Sequence, residues 1–390
     1  VTNSTGTTLP AREGHGGVQY NGSLYIFGGI QDCSARPVEP GEEEEEFPSA
    51  CMNDLYQFDI EKNEWKLLEC KGEIPSPRSG FISAVLNNQL FIFGGLDPLY
   101  GWLNDGFIMN FETKTWKKLT FTGDVPSPRD KIGFTTLSKN KLIIFGGFGP
   151  QELELEEGEE ETATFGWFNE TFTFDVTTST WTRLKCSGEL PTPRAAAGVA
   201  LIQRPKQKRA EQTGEQKMPQ FTEEGEPQNY LYVMGGRDNQ GSRTNDLFSL
   251  ELSSNTWEKQ NCRGTAPAAR SFHTCVAAND KLLVFGGANV NHMVLNDIHI
   301  LDTRATSQHA WIQPKDSNLD PLKQPEPRAF HATISTIVEG AAYTYVHGGT
   351  GKLDAETGEH QNLCQSLWRI NLCKYSTFQF LILTFNSTTL

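Results

Sequence analysis

Four polar side chains have the types and spacing needed to bind a carboxylate. Arg237 and Arg243 lie six residues apart. Ser271 directly follows another arginine, and Lys131 lies two residues after one. Guanidinium groups hold carboxylates bidentately, and ammonium and hydroxyl groups add further donors. If the fold brings these residues together, they form a small cationic pocket suited to the free end of a peptide.

Three aromatic residues accompany this polar set. Phe148 follows a Gly-Gly pair, Trp167 lies further along the same segment, and Phe272 directly follows the serine. Aromatic walls provide surface on which a flexible peptide backbone stacks. Each residue also has a structural interpretation, in which Arg243 pairs with a loop carboxylate and Trp167 fills loop packing. The binding interpretation is favoured only if all seven residues share one face.

A Gly-Gly doublet recurs six times and sets the register of these residues. Each doublet ends a short apolar run such as Leu90–Phe93, which predicts a strand buried on both faces. We expect the glycines to let the backbone turn tightly between the second and third strands of each repeat. The doublets are Gly28-Gly29, Gly94-Gly95, Gly146-Gly147, Gly235-Gly236, Gly286-Gly287 and Gly348-Gly349.

An arginine and a tryptophan repeat together with the doublets. The arginines precede the doublets and are Arg12, Arg78, Arg129, Arg194, Arg270 and Arg328. The tryptophans follow them and are Trp65, Trp116, Trp181, Trp257 and Trp311. Repeats of about 45–50 residues with four strands each predict a β-propeller. We therefore predict an all-β fold, one six-bladed propeller over residues 1–390 with four antiparallel strands per blade and tryptophans packed between neighbouring blades.

The direction of the strands assigns loops to faces. Antiparallel strands alternate in direction, so loops between strands two and three share a face with the connections between blades. Insertions at residues 30–52 and 148–166 belong to this face, and an insertion at 203–228 belongs to the opposite one. The polar composition of 203–228 predicts disorder. The register places all seven residues of the polar and aromatic set on the first face, in blades three to five.

The order of arginine, apolar strand, Gly-Gly, Asn-Asp and tryptophan resembles the kelch repeat along nearly the whole chain. The kelch fold also serves copper oxidases of the galactose-oxidase type, which need two histidines, two tyrosines and a cysteine at the metal. No such set is visible, because His15, His273 and His331 each lie three residues after a repeat arginine and are one structural position. No phosphate loop, nucleophile motif or Cys-x-x-Cys pair occurs either. We predict a non-enzyme without metal or cofactor.

A more specific resemblance concerns the segments around the polar and aromatic set. They are similar to kelch-domain substrate receptors of cullin-RING ubiquitin ligases, which recognise C-terminal diglycine degrons. The similar segments are 126–147, Gly166-Trp-Phe-Asn, Pro193-Arg-Ala-Ala-Ala, Gly235-Gly-Arg, Arg243-Thr-Asn-Asp-Leu and Arg270-Ser-Phe-His. The resemblance implies that Arg237, Arg243 and Ser271 hold the terminal carboxylate. It also implies that Lys131 and Trp167 line the pocket.

The sequence departs from that group at three places. Phe148 stands where the group has tyrosine, and Phe272 stands where it has tryptophan. Both changes keep an aromatic ring, although Phe148 lacks a hydroxyl. The elongin-binding box of the group is not found, since Cys364 and Cys373 belong to the sixth repeat. Partners implied by the resemblance are protein C-termini ending in Gly-Gly, and elongin and cullin if a docking helix lies beyond Leu390.

The alternative interpretation is a general kelch scaffold that binds a folded partner without docking a ligase. The net charge of −14 resides mostly in Glu42–Glu46 and the stretch Glu152–Glu161, which would attract a basic surface. The remainder is nearly neutral, which disfavours nucleic acid as a partner. The apolar stretch Phe378–Phe385 is too short to cross a membrane, and no secretory signal is visible, so we expect a cytoplasmic or nuclear protein.

The sixth repeat leaves one structural question open. Its third strand is predicted at Leu367–Leu372, but no tryptophan follows it. Either Thr377–Leu383 forms the outer strand, with Phe378 at the position of the tryptophan, or residues near the N-terminus supply that strand and close the ring.

Overall fold

The computed structural model of the chain describes residues 8–32, 49–151, 164–204, 228–304, 308–312, 325–338, 341–353, 360–371 and 380–383. These residues form strands, turns and bends, and none of them lies in a helix. A membrane-spanning helix is accordingly not found in the described part of the chain. The predicted all-β class is confirmed.

Six four-stranded antiparallel units follow one another along the chain and form the six predicted blades. Blade one consists of the strands Gly16–Tyr20, Ser23–Asp32, Ser49–Asp59 and Glu64–Leu67. Blade two consists of Ile82–Leu86, Gln89–Asp97, Gly101–Asn110 and Thr115–Lys118. Blade three consists of Gly133–Ser138, Lys141–Phe145, Thr171–Asp175 and Thr180–Arg183. Blade four consists of Gly198–Arg204, Gln228–Asp238, Arg243–Glu251 and Thr256–Lys259. Blade five consists of Thr274–Ala278, Lys281–Phe285, Ile298–Asp302 and Ala310–Ile312. Blade six consists of Ala332–Val338, Ala341–His347, Leu367–Asn371 and Phe380–Leu383.

Shorter strands extend the blades or join them. They are Arg12–Glu13, Lys71–Gly72, Thr122–Gly123, Phe148–Gln151, Thr164–Trp167, Ser187–Gly188, Arg194–Ala195, Arg270–Ser271, Ala288–Asn289, Thr350–Leu353 and His360–Leu363. The first strands of the blades line a central channel with a volume of about 920 Å³.

The second strand of each blade is buried because neighbouring blades cover both of its faces. In blade two, the side chains of Leu90–Phe93 are all at most 1% exposed. The tryptophans lie between blades as predicted. Three of them contact a phenylalanine of the preceding blade: Trp116 on Phe27 (5.1 Å between ring centroids), Trp181 on Phe93 (4.6 Å) and Trp257 on Phe145 (5.3 Å).

In three blades the Gly-Gly doublet makes a bulge, and the predicted tight turn between strands two and three is wrong there. In blades three, five and six the second strand ends directly before the doublet. All twelve doublet glycines have positive φ, a conformation that side chains with a Cβ rarely adopt. In blades one, two and four the second strand continues through the doublet, and its pairing with the third strand shifts register there, for example between Phe27 and Gly29. The bulge redirects the chain, so that a hairpin extends beyond the blade at the channel mouth.

The six repeat arginines are structural. Each is at most 1% exposed, and its Nη1 donates to the carbonyl of the first doublet glycine in the same blade at 2.9–3.2 Å. In five blades the compensating carboxylate comes from a residue later in the same repeat. These pairs are Arg12–Asp54 (2.7 Å), Arg78–Asp105 (2.7 Å), Arg129–Glu170 (2.9 Å), Arg194–Asp246 (2.6 Å) and Arg270–Asp297 (2.6 Å). In blade six the compensating carboxylate is that of Glu326, two residues before Arg328, and Arg328 also donates to the Oγ of Ser366 at 2.7 Å.

A closed ring of backbone hydrogen bonds surrounds the channel mouth. It joins the residues two positions after the repeat arginines, here called the mouth ring: Gly14, Gly80, Lys131, Ala196, Phe272 and Phe330. Each amide donates to the carbonyl of the preceding blade at 2.8–3.2 Å, and the Gly14 amide donates to Phe330 at 3.0 Å. All six residues have φ between 51° and 65°. The ring therefore connects blade six to blade one in the same way as any other pair of blades.

The outer strand of blade six comes from the C-terminal part of the chain. Phe380–Leu383 pairs antiparallel with the third strand, Leu367–Asn371, so the alternative of an N-terminal outer strand is wrong. Phe378 lies outside the described residues. Packing of blade six on blade one includes the ring nitrogens of His15 and His347, which lie 3.1 Å apart.

The ends of the three predicted insertions are paired strands. Ile30–Asp32 pairs with Ser49–Cys51, Phe148–Gln151 with Thr164–Trp167, and Gln203–Arg204 with Gln228–Asn229. The first two hairpins stand at the channel mouth, and the third leaves blade four at its opposite end. The acidic runs Glu42–Glu46 and Glu152–Glu161, and most of 203–228, lie outside the described residues.

Candidate functional site

Each blade contributes three backbone-paired residues to the channel mouth. They are the residue after the repeat arginine, the residue after the doublet, and the partner of the latter across the hairpin. From blade one to blade six these sets are Glu13–Ile30–Cys51, Ser79–Leu96–Trp102, Asp130–Phe148–Trp167, Ala195–Arg237–Arg243, Ser271–Ala288–Val294 and Ala329–Thr350–Leu363. Five of the seven predicted site residues belong to these sets, and Lys131 and Phe272 belong to the mouth ring.

The two predicted arginines face each other across one hairpin of blade four. Arg237 is the direct cross-strand partner of Arg243, and its exposed side chain donates through Nε to the Gly241 carbonyl at 3.0 Å. Arg243 reaches across the blade boundary and donates through Nε to the Oγ of Ser271 at 2.9 Å. The three predicted carboxylate anchors therefore lie together, with the serine fully buried beneath the guanidinium.

Within the part of the chain that the structure describes, the positive charge of this arginine pair is not compensated. Among the described residues neither guanidinium has a carboxylate partner, and like charges opposite each other on a hairpin repel. Burial, together with the charge of Arg237, lowers the pKa of Arg243. An anion bound between them would relieve both penalties. The alternative pairing of Arg243 with the acidic insertions concerns residues outside the described part.

Lys131 is already paired with a carboxylate. Its ammonium contacts Asp130, which is 2% exposed and also accepts a hydrogen bond from Trp102 Nε1 at 3.1 Å. Burial raises the pKa of Asp130, and Lys131 opposes that shift. The mouth is thus cationic at blade four and neutralised at blade three. Sequence reasoning missed Asp130, although it directly follows a repeat arginine, as Ser271 does.

The predicted aromatic residues of blade three belong to a larger group. Phe148 and Trp167 are cross-strand partners with ring centroids 4.9 Å apart. Trp102 of blade two contacts Phe148 (5.7 Å) and also Phe165 (4.8 Å). We call Trp102, Phe148, Phe165 and Trp167 the aromatic cluster. Trp102 was missed, yet its register is that of Trp167 and Arg243, which the repeat alignment would have revealed.

Phe272 belongs to the mouth ring on the blade-five side of the arginine hairpin. Its ring stacks on Phe330, with centroids 3.4 Å apart. The order around the mouth is Lys131 in blade three, the Arg237–Arg243 hairpin in blade four, and Ser271 and Phe272 in blade five. The structure thus places all seven predicted residues on one face, although among the described residues no hydrogen bond or cation–π contact joins the arginine pair to the aromatic cluster.

The buried histidines have the structural position that their spacing predicted. His15, His273 and His331 are at most 7% exposed and line the channel wall beside the doublets of the preceding blades. Burial and the nearby Arg270 lower the pKa of His273 to about 3. Within the described residues no group of three or more histidine, cysteine or acidic side chains has a metal-binding arrangement.

Comparison with known proteins agrees with this architecture. Residues 1–206 and 206–379 match the model of the KLHDC2/KLHL20/DRC7 Kelch-repeats domain. The chain belongs to the kelch-repeat family. Its relatives include Kelch domain-containing protein 1 of Mus musculus, which is 32% identical over 76% of this chain and 68% of the relative. The Homo sapiens protein of that name is 31% identical over 82% and 71%.

More distant kelch proteins share the fold. Kelch domain-containing protein 2 of Bos taurus is 25% identical over 83% of this chain and 73% of its own length. The solved structure of YjhT superimposes with a TM-score of 0.60 at 16% identity, over 96% of this chain and 98% of that one, which supports the propeller fold alone. The chain is therefore a kelch propeller of the protein-interaction type.

Proposed function

We propose that this kelch propeller binds the free C-terminus of proteins that end in glycine, as the substrate-recognition subunit of a cullin-RING ubiquitin ligase. The observation that carries the proposal is the Arg237–Arg243 pair, held against Ser271 and lacking a carboxylate among the described residues. A terminal carboxylate has the charge and the two oxygens that this arrangement accepts.

The carboxylate anchors are pre-organised before a peptide binds. Ser271 is fixed by the backbone of blade five and orients Arg243, so little side-chain entropy is lost when the anion binds. The half-buried position of Arg243 strengthens its interaction with an anion relative to a fully solvated arginine. The preference for glycine and the role in a ligase rest on the resemblance of these segments to the diglycine degron receptors.

A peptide titration tests the binding step. A labelled peptide ending in Gly-Gly is compared with the same peptide carrying a C-terminal amide. We expect amidation, Arg237→Gln and Arg243→Gln each to weaken binding by about 2 kcal/mol, a factor of roughly 30, because each removes part of a partly desolvated charge pair. Arg263→Gln is the matched control, since Arg263 is an exposed arginine remote from the mouth that bonds to Gln308. Equal affinity for acid and amide would reject carboxylate recognition.

The ligase role has its own test. The full-length natural protein is purified from cells and probed for elongin and cullin. Co-purification that survives Arg243→Gln supports a receptor with separate degron and docking sites. Loss of a partner only when Glu42–Glu46 and Glu152–Glu161 are deleted, with no effect of peptide amidation, would instead support the scaffold that binds a folded basic partner.

A further inference from the structure

We propose that the aromatic cluster binds an apolar side chain of the third or fourth residue, counted from the C-terminus of the bound peptide. This inference rests on the proposed function and assigns it a second specificity position. The occupant is part of the same peptide whose end lies between Arg243 and Ser271. The cluster consists of Trp102, Phe148, Phe165 and Trp167, and sequence reasoning had placed only two of these at the site.

The spacing follows from the mouth ring. Ser271 adjoins Phe272, and Asp130 adjoins Lys131. Two backbone hydrogen bonds connect these ring members, from Phe272 to Ala196 (3.0 Å) and from Ala196 to Lys131 (2.9 Å). Hydrogen-bonded backbones lie about 5 Å apart, so the two sites are about 10 Å apart at the mouth. An extended peptide spans this distance with about three residues at roughly 3.3 Å each.

The chemistry of the cluster favours an apolar occupant. The polar atom of Trp102, its Nε1, already donates to Asp130 at 3.1 Å, so the indole offers only its π surface to a ligand. Lys131 is likewise paired with Asp130 and adds no free charge. Phe165 contacts Trp102 yet remains 48% exposed, which leaves aromatic surface open at the mouth. Covering that surface with an aliphatic or aromatic side chain removes apolar area from water.

The position of the cluster favours the same peptide over an independent ligand. Its hairpin in blade three is the direct neighbour of the arginine hairpin in blade four, because the mouth ring joins successive blades. A peptide anchored at blades four and five and running towards blade three passes Arg237 and then reaches Phe148 and Trp167. Side chains of an extended peptide alternate in direction, so one of two successive positions faces the cluster.

A positional scan tests this inference. Peptides with an alanine background and a Gly-Gly end carry a single leucine or tryptophan at the third, fourth, fifth, sixth or seventh residue from the terminus. Affinities are measured by fluorescence polarisation. We expect a gain of about fivefold at the third or fourth position, the range that one aromatic contact supports, and none at the sixth or seventh. Aspartate at the same position should give no gain.

Substitutions in the aromatic cluster test whether the gain in peptide affinity comes from contact with the cluster. The readout is the ratio of affinities between the leucine peptide and the alanine peptide. This ratio should fall towards one in Phe165→Ala and Trp167→Ala. It should be retained in Leu99→Ala, the matched control, because Leu99 is 84% exposed at the tip of the neighbouring hairpin and lies outside the cluster.

The outcomes separate this inference from the proposed function. If amidation abolishes binding but the scan is flat, or the gain is equal at every position, the cluster has no part in recognition and only the inference fails. If the gain occurs at the expected position but Leu99→Ala removes it as fully as Phe165→Ala does, the assignment to the cluster is wrong. If amidated and free peptides bind equally, the proposed function itself fails, and the inference fails with it.

Discussion

Mild acidification should destabilise this propeller through its buried histidines. Four imidazoles are fully or almost fully buried, and burial is the main cause that lowers the pKa of each one. They are His15, His273, His331 and His347, and the pKa is about 3 for His273 and His347. Each is therefore neutral in the folded protein below pH 6.5, whereas the unfolded chain takes up a proton there.

The size of the loss in folding stability follows from the number of protons that the unfolded chain takes up. When the folded pKa lies far below 6.5, the unfolded state binds more protons, so the free energy of unfolding falls as pH falls from about 6.5 towards the folded pKa. Between pH 7.5 and pH 5.5 each imidazole contributes a loss of slightly more than about 1 kcal/mol, and four together contribute about 5 kcal/mol. For a chain of this size the loss corresponds to a decrease of about 6 °C in Tm. His309, which is also buried and whose pKa is also lowered, acts in the same direction.

The assay is urea unfolding followed by tryptophan fluorescence at a series of pH values. The pKa values of Asp246 and Asp297, which pair with repeat arginines, are lowered, so these two carboxylates titrate below this window. His331→Phe is the informative variant, because blade two carries the buried Phe81 at the same repeat position. We expect it to remove about a quarter of the pH-dependent loss.

Two results would refute this reasoning. A free energy of unfolding that is constant between pH 7.5 and 5.5 would mean that the imidazoles are hydrated or protonated in the folded protein. A full pH dependence in His331→Phe would mean that other groups take up the protons.

Two further predictions concern the packing and the mouth ring. Trp116→Ala should lower the free energy of unfolding by about 3–5 kcal/mol, because this side chain is 2% exposed between blades one and two. Urea unfolding measures this loss, and a loss below about 1 kcal/mol would mean that the packing between the blades is loose. Ala196→Gly should raise the free energy of unfolding by about 0.5 kcal/mol, because Ala196 has a φ of 53° and relief of that strain exceeds the added chain entropy. A lower Tm for Ala196→Gly would show that its Cβ contributes more by packing than it costs in strain.

The repeated features of the sequence predicted the repeated features of the fold. Doublets, arginines and tryptophans recur with a constant order, and the blades and the packing of Trp116 between them follow from that order. The doublet geometry was mistaken because a turn and a bulge both favour glycine, and only the strand register shows that the chain continues past Gly29. The role of the repeat arginines became clear once their distances to Asp54 and its equivalents were known.

The site was predicted in its position but not in its charge balance. The register placed Arg237, Arg243 and Ser271 on one face, where they lie together. It did not reveal that Lys131 is paired with Asp130, because contacts between adjacent residues depend on side-chain direction and burial. The sequence did not point to Trp102, because blade two contributed no other predicted site residue. A contact between two blades is not visible in the sequence of either blade alone.

The mouth ring and the continuity of each blade have a consequence for how the molecule can be cut and rejoined. Many circular structures interlock by borrowing a strand from the far end of the chain, whereas here every blade is built from one uninterrupted segment and the boundary between blades six and one has the same hydrogen bond as the others. In the described residues, the hydrogen bonds of the mouth ring therefore do not distinguish this boundary from the other five. A circular permutant opened at any boundary between blades keeps all six blades whole. We therefore expect the fold to tolerate a change in the order of the blades along the chain.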